Sequence, residues 1–324
     1  VHRGSLPDED RSPRALWAQR LGSDASMLKI AVTADLHWGV RPNGDAATLK
    51  LVEHLKASPP DVLILAGDVG AGDEFEACLR LFDDLPSVKT LVPGNHDIWV
   101  ASDDRRGDSW SVYQEWLPRH CREHGFHYLD HSPRIFPAHD LALLGTINWY
   151  DGSWAAASDE WSPPKDFDER FREMRFTRGR HNDVRFVRWH HTPESFTRWS
   201  VERLSQHLEQ SLAVVSRAIV VTHHPAFRGL NVPLHGPLTV DRMLWQAFAG
   251  NESLERLLEC YQNRVAVVFS GHTHLAREAR FGSIVGYNIG GDYDWKRLLV
   301  LDWPGTSGTS YEFRGEDGSN NLDR

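Results

Sequence analysis

The sequence has 324 residues, 40% hydrophobic and 25% charged, and a formal net charge of -9 at pH 7. This length suits one large α/β domain or two small ones with a sizeable core. The negative charge disfavours a general nucleic-acid surface, where Lys and Arg must meet phosphate, and no apolar run of about 18 residues predicts a transmembrane helix or a membrane partner.

The first 26 residues are predicted to form an arm that precedes the folded domain. They are polar, and Met27 then opens the first strong strand pattern. Two interpretations stay open for residues 1–26. In the first, these residues are an added leader or result from a misplaced start. In the second, they include a short helix near Arg14–Leu21 that docks on the domain through its apolar side chains.

From Leu28 onward, apolar runs of strand length alternate with helix-like stretches. The predicted strands are Lys29–Thr33, Val62–Leu65, Val88–Val92, Leu141–Leu144, Ala218–Val221 and Val265–Phe269. The predicted helices lie near Ala46–Ala57, Glu74–Leu85, Ser109–Glu123, Ser195–Val215 and Glu252–Cys260. Continuous apolar strands separated by helices are typical of sheets covered by helices. The predicted domain spans residues 27–313, and the polar residues 314–324 are predicted to form a flexible tail.

The segment from Trp149 to Ser200 interrupts this alternation, because it contains no clear strand pattern. It holds five tryptophans, and seven arginines lie between Arg170 and Arg188. Linkers are poor in aromatic residues, so residues 149–200 are predicted to be an insertion that caps the domain. Packing within the protein explains the tryptophans better than an apolar substrate pocket does.

The number and spacing of the cysteines indicate the cellular compartment of the protein. The three cysteines, Cys78, Cys121 and Cys260, are widely spaced. An odd and sparse set is typical of reduced thiols rather than of a disulfide framework. The N-terminus lacks the basic stretch and apolar core of a secretory signal. A cytoplasmic protein is therefore predicted.

Polar motifs lie at the ends of the predicted strands. They are Asp35-Leu-His37, Gly67-Asp68, Gly94-Asn95-His96-Asp97, His223-His224-Pro225 and Gly271-His272-Thr-His274. Ligands of open α/β sheets bind beyond the carboxyl ends of the strands, so these motifs are expected to converge. Asp35 and His37 are two residues apart, as are His272 and His274. In extended backbone such residues point to the same side, so each pair is expected to aim two ligands at one site.

The residue types indicate the class of metal. Carboxylate, imidazole and amide oxygen ligands together suit Mn, Fe or Zn better than Ca or Mg, which prefer oxygen alone. The motifs offer more ligands than one ion needs, so two metal ions are predicted. Each motif alone also has a structural interpretation, such as a Gly-Asp turn, but five in this order favour a catalytic metal centre.

The set resembles the signature of the calcineurin-like metallophosphoesterase superfamily, D-x-H, G-D, G-N-H-D/E, H and G-H-x-H, over roughly Leu28 to Val300. The resemblance implies an α/β fold, a four-layer sandwich of two mixed β-sheets flanked by helices, here with an inserted cap. Together with the insertion, the segment Gly145–Asp151 is similar to an uncharacterised bacterial branch of the superfamily.

The resemblance also implies the role of each motif residue. The metal ligands would be Asp35, His37 and His274 for one ion, Asn95, His223 and His272 for the other, and Asp68 as the bridge. His96 would contact the phosphate and donate a proton, Asp97 would orient His96, and His224 would line the site. The pair His190-His191 also resembles the histidine motif. His223 is preferred because it follows a strand and precedes Pro225, and the other pair is expected to be solvated or packed on aromatic rings.

The expected activity is hydrolysis of a phosphate mono- or diester in a small phosphorylated substrate. Two ions about 4 Å apart can clamp a phosphate and lower the pKa of a shared water, so that hydroxide attacks phosphorus. His96 would protonate the departing oxygen. A catalytically silent interaction scaffold of the same fold is an alternative, which the complete ligand set disfavours. A nuclease is another, which the net charge disfavours.

Three arginines of the insertion are candidate substrate ligands. Arg178, Arg180 and Arg185 lie where glycine, histidine and asparagine interrupt the helical pattern and predict a loop tip. The planar guanidinium group pairs bidentately with phosphate. The alternative is a solvated helix whose arginines bridge to nearby carboxylates.

Overall fold

A computed structural model describes residues 27–315, which contain two six-stranded sheets. The strands are β1 (Leu28–Thr33), β2 (Val62–Ala66), β3 (Val88–Val92), β4 (Phe126–Tyr128), β5 (Arg134–Phe136), β6 (Leu141–Thr146), β7 (Arg217–Thr222), β8 (Val265–Ser270), β9 (Arg277–Phe281), β10 (Ile284–Asn288), β11 (Trp295–Trp303) and β12 (Gly308–Arg314). The first sheet has the order β12-β11-β1-β2-β3-β4 and the second β5-β6-β7-β8-β10-β9. Both are mixed: β1 to β4 are parallel, as are β6, β7, β8 and β10, and the remaining strands pair antiparallel.

Helices connect the strands and cover the outer faces of both sheets. The α-helices are Pro42–Ala57, Asp73–Arg80, Ser109–Ser111, Leu117–Glu123, Phe167–Arg172, Asp183–Phe186, Pro193–Leu212, Val240–Ala247 and Glu252–Cys260. A π-helical turn, Val112–Trp116, joins the third to the fourth, and short 3₁₀ turns lie at Pro137–His139, Ser153–Ala155 and Arg228–Leu230. No helix within residues 27–315 is long and apolar enough to cross a membrane.

The parallel strands are buried on both faces, which explains their continuous apolar sequence. In β1, Ile30 and Val32 pack between the two sheets, whereas Ala31 faces the helices that cover the first sheet. Because side chains alternate across a strand, each central strand contributes to two apolar layers. The predicted four-layer sandwich of two mixed sheets is confirmed, and so are the six predicted strands.

The insertion packs into the domain rather than resting on it. Trp149, Trp154 and Trp161 are buried, and Phe171 stacks on Phe248 with ring centroids 5.2 Å apart. All of these aromatic residues except Trp154 belong to the apolar cluster of the first sheet. The tryptophans are thus explained mainly by packing, and burial of their rings ties the insertion to the core.

The structure moves two predicted boundaries. Helix Pro193–Leu212 begins inside the predicted insertion, with the side chain of Thr192 capping the backbone N–H of Ser195, so the irregular segment ends before Pro193 and not at residue 200. Strand β12 continues to Arg314, where the tail was predicted to begin. Residues 1–26 and 316–324 lie outside the described residues. All three cysteines are free.

Candidate metal centre

The five motifs meet at the carboxyl ends of β1, β2, β3, β7 and β8. Three groups of possible ligands each have their donor atoms within 4.8 Å of one another. They are Asp35, His37 and His274; His37, Asp68 and His96; and Asp35, Asp68 and His223. The shared members join the groups into one cluster, in which strand ends from both sheets contribute side chains. Three of the predicted ligands, Asp35, His37 and His274, form one complete group.

The ligand pairs reach the cluster through left-handed backbone, not through extended backbone as the spacing predicted. Eight non-glycine residues in the described part of the chain have positive φ, and five of them are predicted ligands: Asp35 (φ 55), His37 (φ 43), Asp68 (φ 53), His272 (φ 71) and His274 (φ 57). Such conformations cost free energy and concentrate at functional sites, where the surrounding structure holds them in place. The chain therefore turns sharply at each ligand and directs its side chain inward.

Glycines of the motifs leave room for this approach. A Cβ atom on Gly94 would lie 2.1 Å from Oδ1 of Asp68, and one on Gly67 would lie 2.4 Å from Nδ1 of His223. Gly67 also has a φ of +89°, which L side chains rarely adopt. A Cβ on Gly271 would lie 2.8 Å from Oδ2 of Asp35. Each of these glycines lets the backbone pass directly behind a predicted ligand.

Hydrogen bonds orient the two buried carboxylates toward the cluster. Oδ1 of Asp35 accepts the backbone N–H of His272 at 2.9 Å, and Oδ1 of Asp68 accepts that of His96 at 2.9 Å. The second oxygen of Asp35 has no hydrogen-bond partner among residues 27–315. Oδ2 of Asp68 lies 3.6 Å from Nε2 of His37 and 3.3 Å from Nε2 of His223. Each carboxylate is thus anchored through Oδ1, and the other oxygen of Asp68 faces two imidazoles.

Hydrogen bonds fix the orientations of Asn95 and His223. Nδ1 of His223 lies 3.0 Å from the carbonyl oxygen of Ala66, so that a proton on Nδ1 leaves the lone pair on Nε2. This Nε2 lies 3.2 Å from Oδ1 of Asn95. The rings of His223 and His272 are 5.2 Å apart between centroids. The predicted second ligand set therefore adjoins the first through Asp68.

The pKa shifts place an ionised carboxylate beside a protonated imidazole at the centre of the cluster. Burial opposes ionisation of Asp68, but His223 and His96 outweigh it and hold the Asp68 pKa well below its usual range. Burial likewise opposes charge on His223, yet Asp68 raises the His223 pKa to about 9, so a metal ion at Nε2 of His223 would displace a proton. Burial lowers the pKa of His37 and of His272, which keeps both imidazoles neutral.

These properties fit divalent metal ions. Buried carboxylates are costly unless they are paired or coordinate a cation, and neutral imidazoles are the form that metals bind. Nε2 of His37 lies 3.0 Å from Nε2 of His274. If both rings carry their proton on Nδ1, two lone pairs face each other there, and a cation would give both of them a partner.

His96 lies at the edge of the cluster. Its Nε2 is 3.9 Å from Oδ2 of Asp68, and its ring stacks on Trp99 with centroids 3.7 Å apart. Asp97 was predicted to orient His96, but its carboxylate contacts other groups. It accepts the backbone N–H groups of Val69, Gly70 and Gly94 at 2.7 to 3.0 Å. Asp97 therefore holds the Asp68 and Asn95 loops together, and Trp99 positions the His96 ring.

Asp183, in the insertion, is a positioning residue that the sequence did not indicate. It is fully buried, and its Oδ1 accepts from Nδ2 of Asn95 at 3.0 Å and from Nε1 of Trp99 at 2.7 Å. Its Oδ2 accepts the hydroxyl of Tyr150 at 2.9 Å. Because Asp183 binds the amide nitrogen of Asn95, the amide oxygen is turned toward His223. No local motif marks Asp183, since its role depends on how the insertion folds back.

A sixth strand end also supports the cluster. Beyond β10, Oδ1 of Asp292 lies 3.5 Å from Nδ1 of His274, and the Tyr293 ring lies 4.5 Å from that of His37. The buried Lys296 donates to the carbonyl oxygens of Asp35 and Asp292 at 3.1 and 2.7 Å. The signal for this support was the Gly290-Gly-Asp292 sequence, which follows β10 as the other motifs follow their strands.

The two histidine pairs occupy different surroundings. His224 is fully buried, and its ring lies 4.0 Å from that of His272. Burial lowers the pKa of His224 to about 3, and its Nε2 has no hydrogen-bond partner, so it lines the cluster as a neutral group. The His191 ring instead packs against Trp110, at 4.7 Å, and Phe196. This is the aromatic packing expected for His190 and His191.

The three candidate arginines are exposed. Arg178 lies at a turn beside Gly179, closed by an isolated bridge between Arg175 and Arg180, and Arg185 lies in helix Asp183–Phe186. Within residues 27–315 none of the three forms an ion pair. The neighbouring Arg170 and Arg175 do pair, with Asp166 and Glu173. The predicted loop tip is therefore present at Arg178, and contact of these arginines with substrate stays a prediction.

Comparisons with known proteins agree with this geometry. Phosphopantetheinyl hydrolase from Mycobacterium tuberculosis is 18% identical, with a TM-score of 0.63 over 83% of this chain and 91% of that one. A dimetal phosphatase from Danio rerio is 14% identical, with a TM-score of 0.54 over 89% of this chain and 99% of that one. Identities this low show a shared fold alone. No curated protein matches the sequence. The family model for calcineurin-like phosphoesterases matches residues 28–276, more than half of the sequence, and the chain belongs to that family.

Proposed function

We propose that this protein is a phosphoesterase dependent on two metal ions, Mn, Fe or Zn, and that it hydrolyses a phosphate mono- or diester of a small molecule. The observation that carries the proposal is the cluster itself. Two buried carboxylates and four imidazoles form overlapping groups of three at the strand ends, and the possible ligand atoms of each group lie within 4.8 Å of one another. The names of the two similar structures, a phosphopantetheinyl hydrolase and a dimetal phosphatase, are consistent with this class of reaction.

The residues divide into two ligand sets. Asp35, His37 and His274 would hold one ion, and Asn95, His223 and His272 the other. Asp68 would bridge the two sets, since its Oδ2 lies within 3.6 Å of imidazole nitrogens from both. When bound, divalent ions of this kind polarise phosphoryl oxygens and lower the pKa of a water between them.

The chain itself supplies proton transfer and positioning. His96 would donate a proton from Nε2 to the departing oxygen of the ester, which is the role of a general acid. Trp99 fixes the plane of the His96 ring by stacking. Asp183 fixes both Asn95 and Trp99, so that it holds a ligand and the proton donor in one arrangement. His224, Arg178, Arg180 and Arg185 are proposed to contact the substrate.

The test is hydrolysis by protein reconstituted with Mn2+, Zn2+ or Fe2+, measured with metal content on the same samples. The substrates are p-nitrophenyl phosphate, bis-p-nitrophenyl phosphate, cyclic AMP and single-stranded DNA. We expect turnover of at least one of the first three, and Asp68→Asn should lose both metal and turnover because Asp68 would contact both ions. Asp61→Asn, at the start of β2, is the control. Reconstituted protein that binds no metal, or metal-loaded protein that hydrolyses none of them, would contradict the proposal.

A further inference from the structure

A cavity of about 270 Å³ opens beside the metal centre, with His272 and Thr273 in its wall. The rest of the wall is mainly apolar and includes Val232, Leu234 and Trp245. Small-molecule sites commonly measure about 300 to 1,000 Å³. This cavity is slightly smaller than that range, a size suited to an alkyl chain or a single ring.

The apolar side chains of this wall are exposed to an unusual degree. Trp245 is 56% exposed, Val232 47% and Leu234 39%. Large apolar residues gathered on a surface commonly mark a binding site. The Trp245 ring is also held in place, because it stacks on Phe176 of the insertion with centroids 4.7 Å apart. A rigid, half-exposed aromatic ring beside a metal centre is well placed to receive an apolar group.

Two polar side chains of the wall are paired within it. Nδ2 of Asn231 donates to Oε1 of Gln246 at 2.9 Å, and Nε2 of Gln246 donates to the carbonyl of Val232 at 3.2 Å. Arg242 is the one Asp, Glu, Lys or Arg of the described lining residues, and its Nη1 donates to the carbonyl of Pro237 at 2.9 Å. A guanidinium group has five N–H donors, so Arg242 keeps donors for an anion, and apart from this residue the wall offers a ligand mainly apolar surface.

We propose that this cavity binds an apolar or aromatic organic group that is esterified to the phosphate, so that the substrate is the phosphoester of a short alkyl or aryl alcohol. His272 joins the cavity to the metal centre, which lets one molecule place its phosphate on the ions and its organic group against Trp245. The inference rests on the proposed function and makes it narrower, since it disfavours nucleotides and phosphoproteins as substrates.

Binding of n-alkyl phosphonates, which resist hydrolysis, tests the proposal. Calorimetry with metal-reconstituted protein compares ethyl, butyl, hexyl and octyl phosphonate with AMP. Burial of each methylene should tighten binding roughly fourfold until the cavity is filled, and hexyl phosphonate should bind more tightly than AMP. Leu234→Ser and Trp245→Ala should each weaken the dependence on chain length. Leu49→Ser, another exposed leucine at 44% exposure but on helix Pro42–Ala57, should leave it unchanged.

The possible outcomes distinguish a failure of the proposed ligand of the cavity from a failure of the proposed phosphoesterase activity. Affinities that do not change with chain length, undetectable phosphonate binding, or tighter binding of AMP would overturn the assignment of the cavity, even if the protein hydrolyses p-nitrophenyl phosphate. A chain-length dependence that Leu234→Ser abolishes, in a protein that hydrolyses no phosphoester, would support the cavity and contradict the proposed function.

Discussion

His96 differs from the enclosed imidazoles around it in its access to solvent. Its side chain is 21% exposed, whereas those of His37 and His223 are 1% and 0% exposed. A metal ligand can be fully enclosed, but a proton donor must reach the substrate. The predicted ligand His274 is equally exposed, at 21%, so exposure fits either role for His96, while stacking on Trp99 holds its ring at the rim where a substrate can reach it.

Replacement of His96 by alanine should separate these two roles. We expect His96→Ala to keep the full metal content and to lose roughly 10²- to 10⁴-fold in kcat, the usual contribution of a general acid. The loss should be smaller for p-nitrophenyl esters, whose leaving group needs no proton, than for alkyl phosphates. Elemental analysis and kinetics with both ester types measure this. If the variant instead loses an ion, His96 is a ligand, as its place in the group with His37 and Asp68 allows.

Asp183 offers a second test at the level of one residue. Asp183→Asn should place an amide N–H opposite Asn95, Trp99 or Tyr150, where only acceptor oxygens now lie. Removal of such a supporting contact typically costs 10- to 100-fold in metal affinity. We expect one ion to be lost on dialysis while the ion at Asp35, His37 and His274 stays.

The control for Asp183 is Asp166→Asn. Asp166 is also an acid of the insertion, but it lies at the surface and pairs with Arg170. It should keep both ions. Two ions bound with wild-type affinity in Asp183→Asn would show that Asn95 does not depend on this contact, or is not a ligand.

At the level of secondary structure, the burial of a strand determined whether it could be predicted from the sequence. The six predicted strands are buried on both sides and appear as continuous apolar runs. Strand β12 is almost wholly exposed, and β11 buries Lys296 among its apolar residues, so neither has such a run. The ligand motifs were visible because their residues are local in sequence. Asp183 was not, because its contact with Asn95 arises only when distant segments fold together, and Asp292 had only the weak signal of two glycines after β10.

The remaining prediction for the insertion is that arginines at and near the turn at Gly179 contact the substrate. Arg178, Arg180 and Arg185 are exposed without carboxylate partners in residues 27–315, so each keeps its guanidinium group available. We expect single replacements by glutamine to raise KM severalfold for substrates large enough to reach the turn and to leave metal content unchanged. The smaller p-nitrophenyl phosphate should be affected much less.

The control for the arginines is Arg198→Gln, because Arg198 is also exposed and lies on helix Pro193–Leu212. It should leave KM unchanged for every substrate. Steady-state kinetics across substrates of increasing size measure the effect. Equal changes for large and small substrates, or wild-type kinetics in all three variants, would show that the arginines form an ordinary solvated surface.

Across the whole molecule, the metal centre depends on how the two sheets meet. Asp35 and Asp68 follow strands of the first sheet, and His223 and His272 follow strands of the second. The backbone N–H of His272 donates to Asp35 across this junction. Packing of Ile30, Val32 and their neighbours between the sheets therefore brings the two halves of the centre into register. The stability of the sandwich and the geometry of the site are therefore coupled. A fall in pH that lowers the free energy of unfolding should also disturb the site.

The dependence of stability on pH can be predicted from two half-buried histidines that are not predicted metal ligands. Burial, reinforced by Arg203, lowers the pKa of His131 and of His207 to about 4. Both stay neutral in the folded protein, whereas the unfolded chain takes up their protons below about 6.5. Their contribution to stability is therefore lost as the pH falls from 6.5 to 4. Burial raises the pKa of Asp130 to about 6, which has the opposite sign and offsets one of the two histidines between pH 6 and 4.

The expectation for His207 is that His207→Gln loses less stability than the wild type between pH 7 and pH 5. Glutamine has no proton to gain, so the share of the pH dependence that comes from His207 disappears, while the other titrating groups are common to both proteins. Urea unfolding at both pH values measures the free energy of unfolding. His207 is not a predicted metal ligand, so comparison of the variant with the wild type at each pH separates this effect from acid release of metal. An unchanged pH dependence in His207→Gln would mean that His207 is already protonated in the folded protein.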